Sequence, residues 1–337
     1  MTAIAAGPAA AEGQLTLLVW EGYADDSFVK PFEEKTGCEV NAVYVGSNDE
    51  IVSKVISGRG AADLISPSND TTLRLVSAGA VAPVDVTKVP NMADFLPQFQ
   101  SPDWLKKDGE VYGVPYGWGI VRIIADPEAV PAETDSLGFL WDPAYAGKIS
   151  VWDDIETVYM ASRYLGFANA YDLSDEQLEQ VKEKLIEMKP NIRKYWFTTG
   201  EMGNLMSSGE VVGGNAWEST LVELRGAGHD VLDLSPKEGR GGWSDSWMIV
   251  KGAENNECVY PWLNYVSSAE AQALAHKVTG FGYPNSNMAG LLDDDARATY
   301  ENLGMANSAT LENIDWWQPV ERRAKYLEIW NQVKAAQ

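Results

Sequence analysis

Apolar and polar positions fall into alternating blocks along the first quarter of the chain. Leu15–Trp20 is a short apolar run that predicts a buried strand. Asp25–Thr36 places Phe28, Val29 and Phe32 on one helical face, and Gly37 supplies the stop. Glu39–Tyr44 predicts the next strand. Asn48 or Asp49 caps a helix through Ile56. A third strand is expected over Ala62–Ser66, and a third helix over Thr71–Ala78, ended by Gly79. Strand and helix alternating three times is the pattern of an α/β sheet with parallel strands. Such sheets bind ligands beyond the carboxyl ends of their strands. Trp20 and Tyr23 follow the first strand; Ser68, Asn69 and Asp70 follow the third.

Farther on the pattern is less regular. Residues 83–109 are Pro-rich, with a helical patch near Asn91–Leu96. Gly113-Val-Pro-Tyr-Gly-Trp-Gly119 leads into an extended run, Ile120–Ala125, and glycines around an aromatic pair suggest a crossing from one lobe to another. Then come a strand over Lys148–Trp152, the acidic segment Asp153-Asp-Ile-Glu156, and helices over Thr157–Leu165, Ser174–Met188 and Thr198–Ser208. A strand over Val211–Trp217 ends in Trp217-Glu218, and a helix over Ser219–Ala227 and a strand over Val231–Leu234 follow. Trp243–Val250 would carry the chain back to the first lobe. Helices are expected over Glu257–Val266, Ala269–Val278, Asp293–Asn302 and Pro319–Lys334. A length of 337 residues exceeds one ordinary core, so two domains are the default.

The stretch Gly-Gly-Trp-Ser-Asp-Ser-Trp, residues 241–247, concentrates the candidate chemistry. On an extended segment Trp243, Asp245 and Trp247 share a face. A carboxylate beside indole faces suits an organic ammonium ion, each cation–π contact being worth about 0.5–2 kcal/mol. A buried strand with core tryptophans is the alternative, although Asp is seldom fully buried unless paired. Net charge is −23 with 13 Trp, which argues against nucleic acid or an anionic membrane as partner and favours a cation. A solubilising acidic coat would give the same charge.

The Ala-rich start, Met1 to Ala11, resembles the tail of an export signal with an A-x-A cleavage site, so residues 1–13 are expected to be a disordered signal remnant. No apolar run reaches the roughly 18 residues that span a bilayer. Cys38 and Cys258 are the only cysteines, and an oxidising compartment favours their pairing over two buried thiols. Only His229 and His276 are present, neither with a partner at metal spacing, so no metal or cofactor is expected. There is no G-x-S-x-G, no P-loop, and no G-x-G-x-x-G after the first strand, and an enzyme is not expected. The acidic residues could imitate a glycosidase pair, which keeps a carbohydrate-binding protein or glycosidase as a remote alternative.

Taken in order, these segments resemble the spermidine/putrescine-binding group of periplasmic solute-binding proteins of ABC importers. The resemblance runs from about Leu15 to the C-terminus. It rests on Val-Trp-Glu-Gly-Tyr at 19–23, Asp63-Leu-Ile-Ser-Pro-Ser68, Pro115-Tyr-Gly-Trp-Gly, Asp153-Asp-Ile-Glu156, Trp217, Trp243-Ser-Asp245-Ser, Gly282-Tyr283-Pro and Trp317-Gln318. It implies an α/β, two-lobe periplasmic-binding-protein fold of type II, each lobe a mixed sheet flanked by helices and joined by hinge strands. By it, lobe one is 14–117 plus 248–288 and lobe two is 118–247 plus 289–337. The implied function is capture of a polyamine in an aromatic, acidic inter-lobe cleft, with closure read by a membrane permease. The implied protein is a periplasmic monomer that does not insert into the membrane. Trp20, Tyr23, Ser68, Asp154, Glu156, Trp217, Trp243, Asp245, Tyr283 and Gln318 are the implied contacts; Asp70 and Glu218, departures from the group's pattern, add carboxylates beside them. The same fold could instead hold a quaternary amine or a γ-amino acid zwitterion. A zwitterion's carboxylate calls for an arginine, and Arg122 and Arg240 lie near the crossings.

Overall fold

The computed structural model describes residues 13–58, 62–254, 256–305 and 314–336. The expected signal remnant, apart from Gly13, lies outside them. The chain divides into two compact units, the first ending at Gly117 and resuming over Ser244–Arg297, the second formed by Trp118–Trp243 and the chain from Ala298 onward.

In chain order, unit 1 begins β1 (Gln14–Val19), α1 (Asp26–Thr36), β2 (Glu39–Tyr44), α2 (Asn48–Ile56), β3 (Leu64–Ile65), α3 (Thr72–Ser77) and β4 (Val81–Ala82). The elements follow from local chemistry. Leu15, Leu17, Leu18 and Val19 of β1 are all buried, as in a strand covered on both faces. Asp25 caps α1 by accepting from the Ser27 amide at 2.9 Å. Gly37 ends it in the left-handed region (φ 75°), where its N–H returns to the Glu33 carbonyl. The third strand is two residues long, shorter than the expected span. Next come a short helix α4 (Pro97–Gln100), the hairpin β5 (Lys106–Lys107) and β6 (Glu110–Val111), and β7 (Val114–Ile120), along which the chain enters unit 2.

Unit 2 continues with β8 (Arg122–Ala125), β9 (Ile149–Trp152), α5 (Glu156–Tyr164), α6 (Asp175–Met188), β10 (Ile192–Trp196), α7 (Thr199–Ser207), β11 (Gly213–Ala216), α8 (Glu218–Gly226) and β12 (Leu232–Leu234). Capping boxes open α6 (Ser174 with Gln177) and α7 (Thr198 with Glu201). Its five-stranded sheet has the order β10-β9-β11-β8-β12, with β8 antiparallel to both neighbours. The long strand β13 (Arg240–Val250) returns the chain to unit 1, followed by α9 (Val259–Val266), α10 (Ala269–Thr279) and α11 (Asp294–Asn302). The last elements, β14 (Ile314–Trp316) and a helix over Arg323–Ala335, belong to unit 2, where β14 runs parallel to the first residues of β13.

The sheet of unit 1 is mixed. Strands β1, β2 and β3 are parallel, whereas β13 pairs antiparallel with β3 (Met248 opposite Ile65) and with β4 (Ile249 opposite Ala82). This returning strand brings Ser244–Val250 beside β3, so the end of β3 and the acidic stretch share one place. A disulfide joins Cys38, just before β2, to Cys258, just before α9. It ties the first and last segments of unit 1 across a sequence separation of 220.

Candidate functional site

Unit 1 carries a buried carboxylate at the end of its parallel strands. Asp245 is 4% exposed and forms an isolated antiparallel bridge with Ser68. Its Oδ2 accepts from the Tyr23 hydroxyl and its Oδ1 from the Ser68 hydroxyl, both at 2.6 Å, the short distance of charge-assisted bonds. The backbone on either side is pinned: the Asn69 amide donates to the Ser244 carbonyl at 2.9 Å, and Asn48 Oδ1 accepts from the Ser68 amide. Burial raises the Asp245 carboxyl to about 7; the two hydroxyls pull it down, and the Asp70 charge adds to the rise. Burial and the neighbouring carboxylate also push the Tyr23 phenol far up, so it stays a donor.

Rings pack around the Tyr23 that holds this carboxylate. Tyr23 meets Tyr116 edge-on at 5.1 Å and Phe281 at 6.2 Å, and Tyr116 meets Trp247 at 5.4 Å and Tyr283 at 5.0 Å. Tyr283 is itself held through its hydroxyl to Thr279 at 3.0 Å. Asp70 is buried and accepts from the Thr71 hydroxyl. Trp20 is half-buried, and its indole N–H donates to the Ser66 carbonyl at 2.7 Å while the ring leans on the apolar cluster around β3.

Unit 2 carries an indole cluster. Trp217, half-buried at the end of β11, meets Trp152 at 4.7 Å, Trp243 at 6.0 Å, Trp196 at 6.1 Å and Trp317 at 6.3 Å. Trp152 and Trp317 lie parallel, with centroids 6.3 Å apart. Gly119 and Gly241 allow close approach here. A Cβ at Gly119 would lie 2.7 Å from both Glu218 carboxylate oxygens and from Trp243; one at Gly241 would lie 3.1 Å from Trp317 Nε1 and 3.3 Å from Glu156 Oε1.

The carboxylates of unit 2 are differently placed. Glu156, in the first turn of α5, is fully buried; it accepts from Arg163 Nη2 at 2.8 Å and from the Asn215 side-chain amide at 2.9 Å. Arg163 also reaches Asp315 at 3.3 Å. Glu218, also fully buried, accepts the Ile120 amide and lies 3.4 Å from Arg122 Nε, while Arg122 pairs with Asp233 at 2.8 Å and Arg240 with Asp233 at 3.2 Å. Burial raises both Glu156 and Glu218, and their arginines oppose the rise. Asp153 is taken by Trp330 Nε1 and Lys334, and Asp154, just before α5, accepts from the Glu156 amide at 3.1 Å. Gln318 is exposed.

The structure thus brings Tyr23, Ser68 and Asp245 into direct contact with one another, and Trp217 into contact with Trp243. It gives Glu156 and Glu218 arginine partners that the sequence reading did not assign. Tyr116, Trp152, Trp247 and Trp317 were also not among the expected contacts. Each does lie inside or next to a segment that the reading singled out. Arg163 sits two helical turns from Glu156, a spacing that places both on one face of α5. Among the described residues no group of three or more His, Cys, Asp or Glu side chains is placed to hold a metal ion, and no helix is long and apolar enough to cross a membrane.

Comparison with known proteins gives a consistent family. The chain is 27% identical over 325 residues to the spermidine/putrescine-binding periplasmic protein of Escherichia coli, covering 94% of this chain and 90% of that one. It is 25% identical to the putrescine/agmatine-binding protein of Pseudomonas aeruginosa, covering 96% and 93% of the two chains. Its fold matches, with a TM-score of 0.85 at 24% identity over 95% and 98% of the two chains, a Listeria monocytogenes protein provisionally assigned to spermidine/putrescine ABC transport. That architecture is the type II periplasmic-binding-protein fold, with mixed sheets flanked by helices. The family model for bacterial extracellular solute-binding proteins matches residues 27–302, most of the chain, and the chain belongs to that family.

Proposed function

We propose that this protein is the extracytoplasmic solute-binding component of an ABC importer and that its solute is an organic amine of the polyamine class. The observation that carries this reading is the buried Asp245 carboxylate, held by the Tyr23 and Ser68 hydroxyls, with Tyr23 itself packed among aromatic side chains. An ammonium ion offers what that carboxylate lacks. It donates hydrogen bonds, neutralises the charge that burial disfavours, and is attracted to ring faces. Trp217 and Trp243 supply indole surface for a methylene chain, with Trp20, Asp70, Asp154, Tyr283 and Gln318 as further proposed contacts. The names of the relatives, which bind putrescine, spermidine or agmatine, support the amine class. Recognition of the liganded form by a membrane permease, action as a monomer in the periplasm, and absence of turnover belong to the same proposal.

Calorimetry with putrescine, spermidine, a choline-like amine, γ-aminobutyrate and a neutral sugar tests it. At least one amine is expected to bind at micromolar affinity or tighter, and to weaken as salt rises. Binding of the sugar with no response to any amine at low salt would overturn the proposal.

A further inference from the structure

Behind the rings that pack on Tyr23 lies a buried histidine at the end of α10. His276 is 1% exposed and stands in the last turn of that helix. Its backbone carbonyl accepts from the Gly280 amide at 2.8 Å, the bond that closes the helix at a left-handed glycine. Its ring reaches one residue farther. Nδ1 lies 2.7 Å from the Phe281 carbonyl, and Nε2 lies 3.3 Å from the Ala296 carbonyl in the first turn of α11. Carbonyl oxygens only accept, and a neutral imidazole has one N–H. The shorter distance places that proton on Nδ1. Burial favours the uncharged ring, against the pull of both carbonyls. Lys277, the next residue, turns to Asp293 at 2.6 Å.

What the ring holds is the segment that carries Phe281 and Tyr283. Phe281 meets Tyr23 edge-on at 6.2 Å, and Tyr283 meets Tyr116, itself packed on Tyr23, at 5.0 Å. From the same helix end, Thr279 Oγ1 accepts from the Phe281 amide at 3.1 Å and bonds the Tyr283 hydroxyl at 3.0 Å. Phe281 is therefore held at both ends of its backbone, the amide by Thr279 and the carbonyl by His276. All of these residues, and Asp245 with them, belong to unit 1. We propose that His276 is a positioning residue for the ligand site of unit 1: its Nδ1–H holds the Phe281 carbonyl, and with it the two rings that keep water from the Tyr23–Asp245 pair. This rests on the reading of Asp245 as the anion that takes the ligand. Without the Nδ1 donor, a part-buried carbonyl loses its partner, which favours rearrangement of residues 281–283. Water then reaches Asp245 and relieves the burial that disfavours its ionised form. The Tyr23 hydroxyl that orients the carboxylate loses its support at the same time.

Three substitutions separate the two ring nitrogens. Asn places its amide nitrogen close to the position of Nδ1, Gln close to that of Nε2, and Leu offers no donor. The Asp245 carboxyl is followed by carbon-13 NMR titration without ligand, and binding of putrescine and spermidine by calorimetry at pH 8. In His276→Gln and His276→Leu the Asp245 midpoint is expected to fall from about 7 by about one pH unit or more. Affinity for whichever amine the wild type binds should drop about tenfold or more. His276→Asn should keep both properties close to the wild type. An unmoved midpoint in folded His276→Gln, or an Asn variant that loses as much as the Leu variant, overturns the proposal. Should the Gln and Leu variants fail to fold, nitrogen-15 spectra of the wild type decide. His276, one of two histidines, should show the Nδ1–H tautomer, and the Nε2–H form overturns the proposal. No binding of either amine by the wild type removes the amine reading, and the Asp245 midpoint then decides on His276 by itself.

Discussion

Replacing Asp245 by Asn should stabilise the ligand-free protein at alkaline pH while removing its response to ligand. Asn is nearly isosteric. Its carbonyl can accept one of the two hydroxyls, and its amide can donate to the other. The magnitude comes from the displaced titration of the wild-type carboxyl, which moves from its ordinary 3.8 to about 7 in the folded protein. At 1.36 kcal/mol per pH unit that corresponds to about 4 kcal/mol. The direction follows from proton binding. Below pH 3.8 Asp245 is protonated in both folded and unfolded chains and contributes nothing. From there to about pH 7 the folded state keeps a proton that the unfolded state has lost, so stability falls as pH rises; above 7 the full cost is present. The Asn variant has no such cost. Thermal melts of both proteins without ligand should show a gain at pH 8 of roughly 10 °C, taking 2–4 °C per kcal/mol for a unit of this size, and almost none at pH 3.5. With a binding amine present, the wild type should gain stability and the variant should not. Losing one partner of a desolvated ion pair costs about 3–5 kcal/mol, or roughly two to three and a half decades of affinity. A variant that melts at or below the wild type at pH 8, or differs from it equally at both pH values, would refute the assignment of Asp245 as a buried carboxylate without a compensating cation.

Other expectations can be checked alongside. Amine binding should weaken about tenfold per pH unit below about pH 7, because the ligand needs ionised Asp245; proton release near neutrality, measured in buffers of different ionisation enthalpy, checks this, and a flat profile from pH 8 to 5 contradicts it. Trp243→Leu keeps apolar packing beside Trp217 but removes one ring face, so ligand affinity should fall by about 1–2 kcal/mol, less than for Asp245→Asn. Thiol titration of unfolded, unreduced protein should find no free thiol, and a Cys38→Ser, Cys258→Ser double variant should lose about 2–4 kcal/mol of stability in denaturant titration.

Much of the scaffold was legible in the sequence, because the signals that specify it are local. The apolar run of β1, the cap of α1 and its terminal Gly37, and the Ser and Thr caps of α6 and α7 are set by neighbours a few residues away. Once strands alternate with helices, polar and aromatic residues just past strand ends become candidates for a site, and Tyr23, Ser68 and Trp217 were found in that way. What the sequence could not determine is the electrostatic state of those candidates. Asp245, Glu156 and Glu218 are the same kind of residue beside the same kind of ring in a linear reading. Asp245 acquires its raised titration only when β13 returns antiparallel to β3 and seats it against Tyr23 and Ser68, 222 and 177 residues away. Glu218 receives Arg122 from a strand nearly a hundred residues earlier, and Glu156, whose Arg163 partner lies on its own helix, receives Asn215 only once α5 packs on its sheet. Burial and charge pairing are properties of the folded surroundings, since the cost of removing a charge from water depends on every group that replaces the water. The sequence therefore specified the elements and the aromatic-acidic chemistry they carry. Tertiary packing decided which carboxylate stays uncompensated.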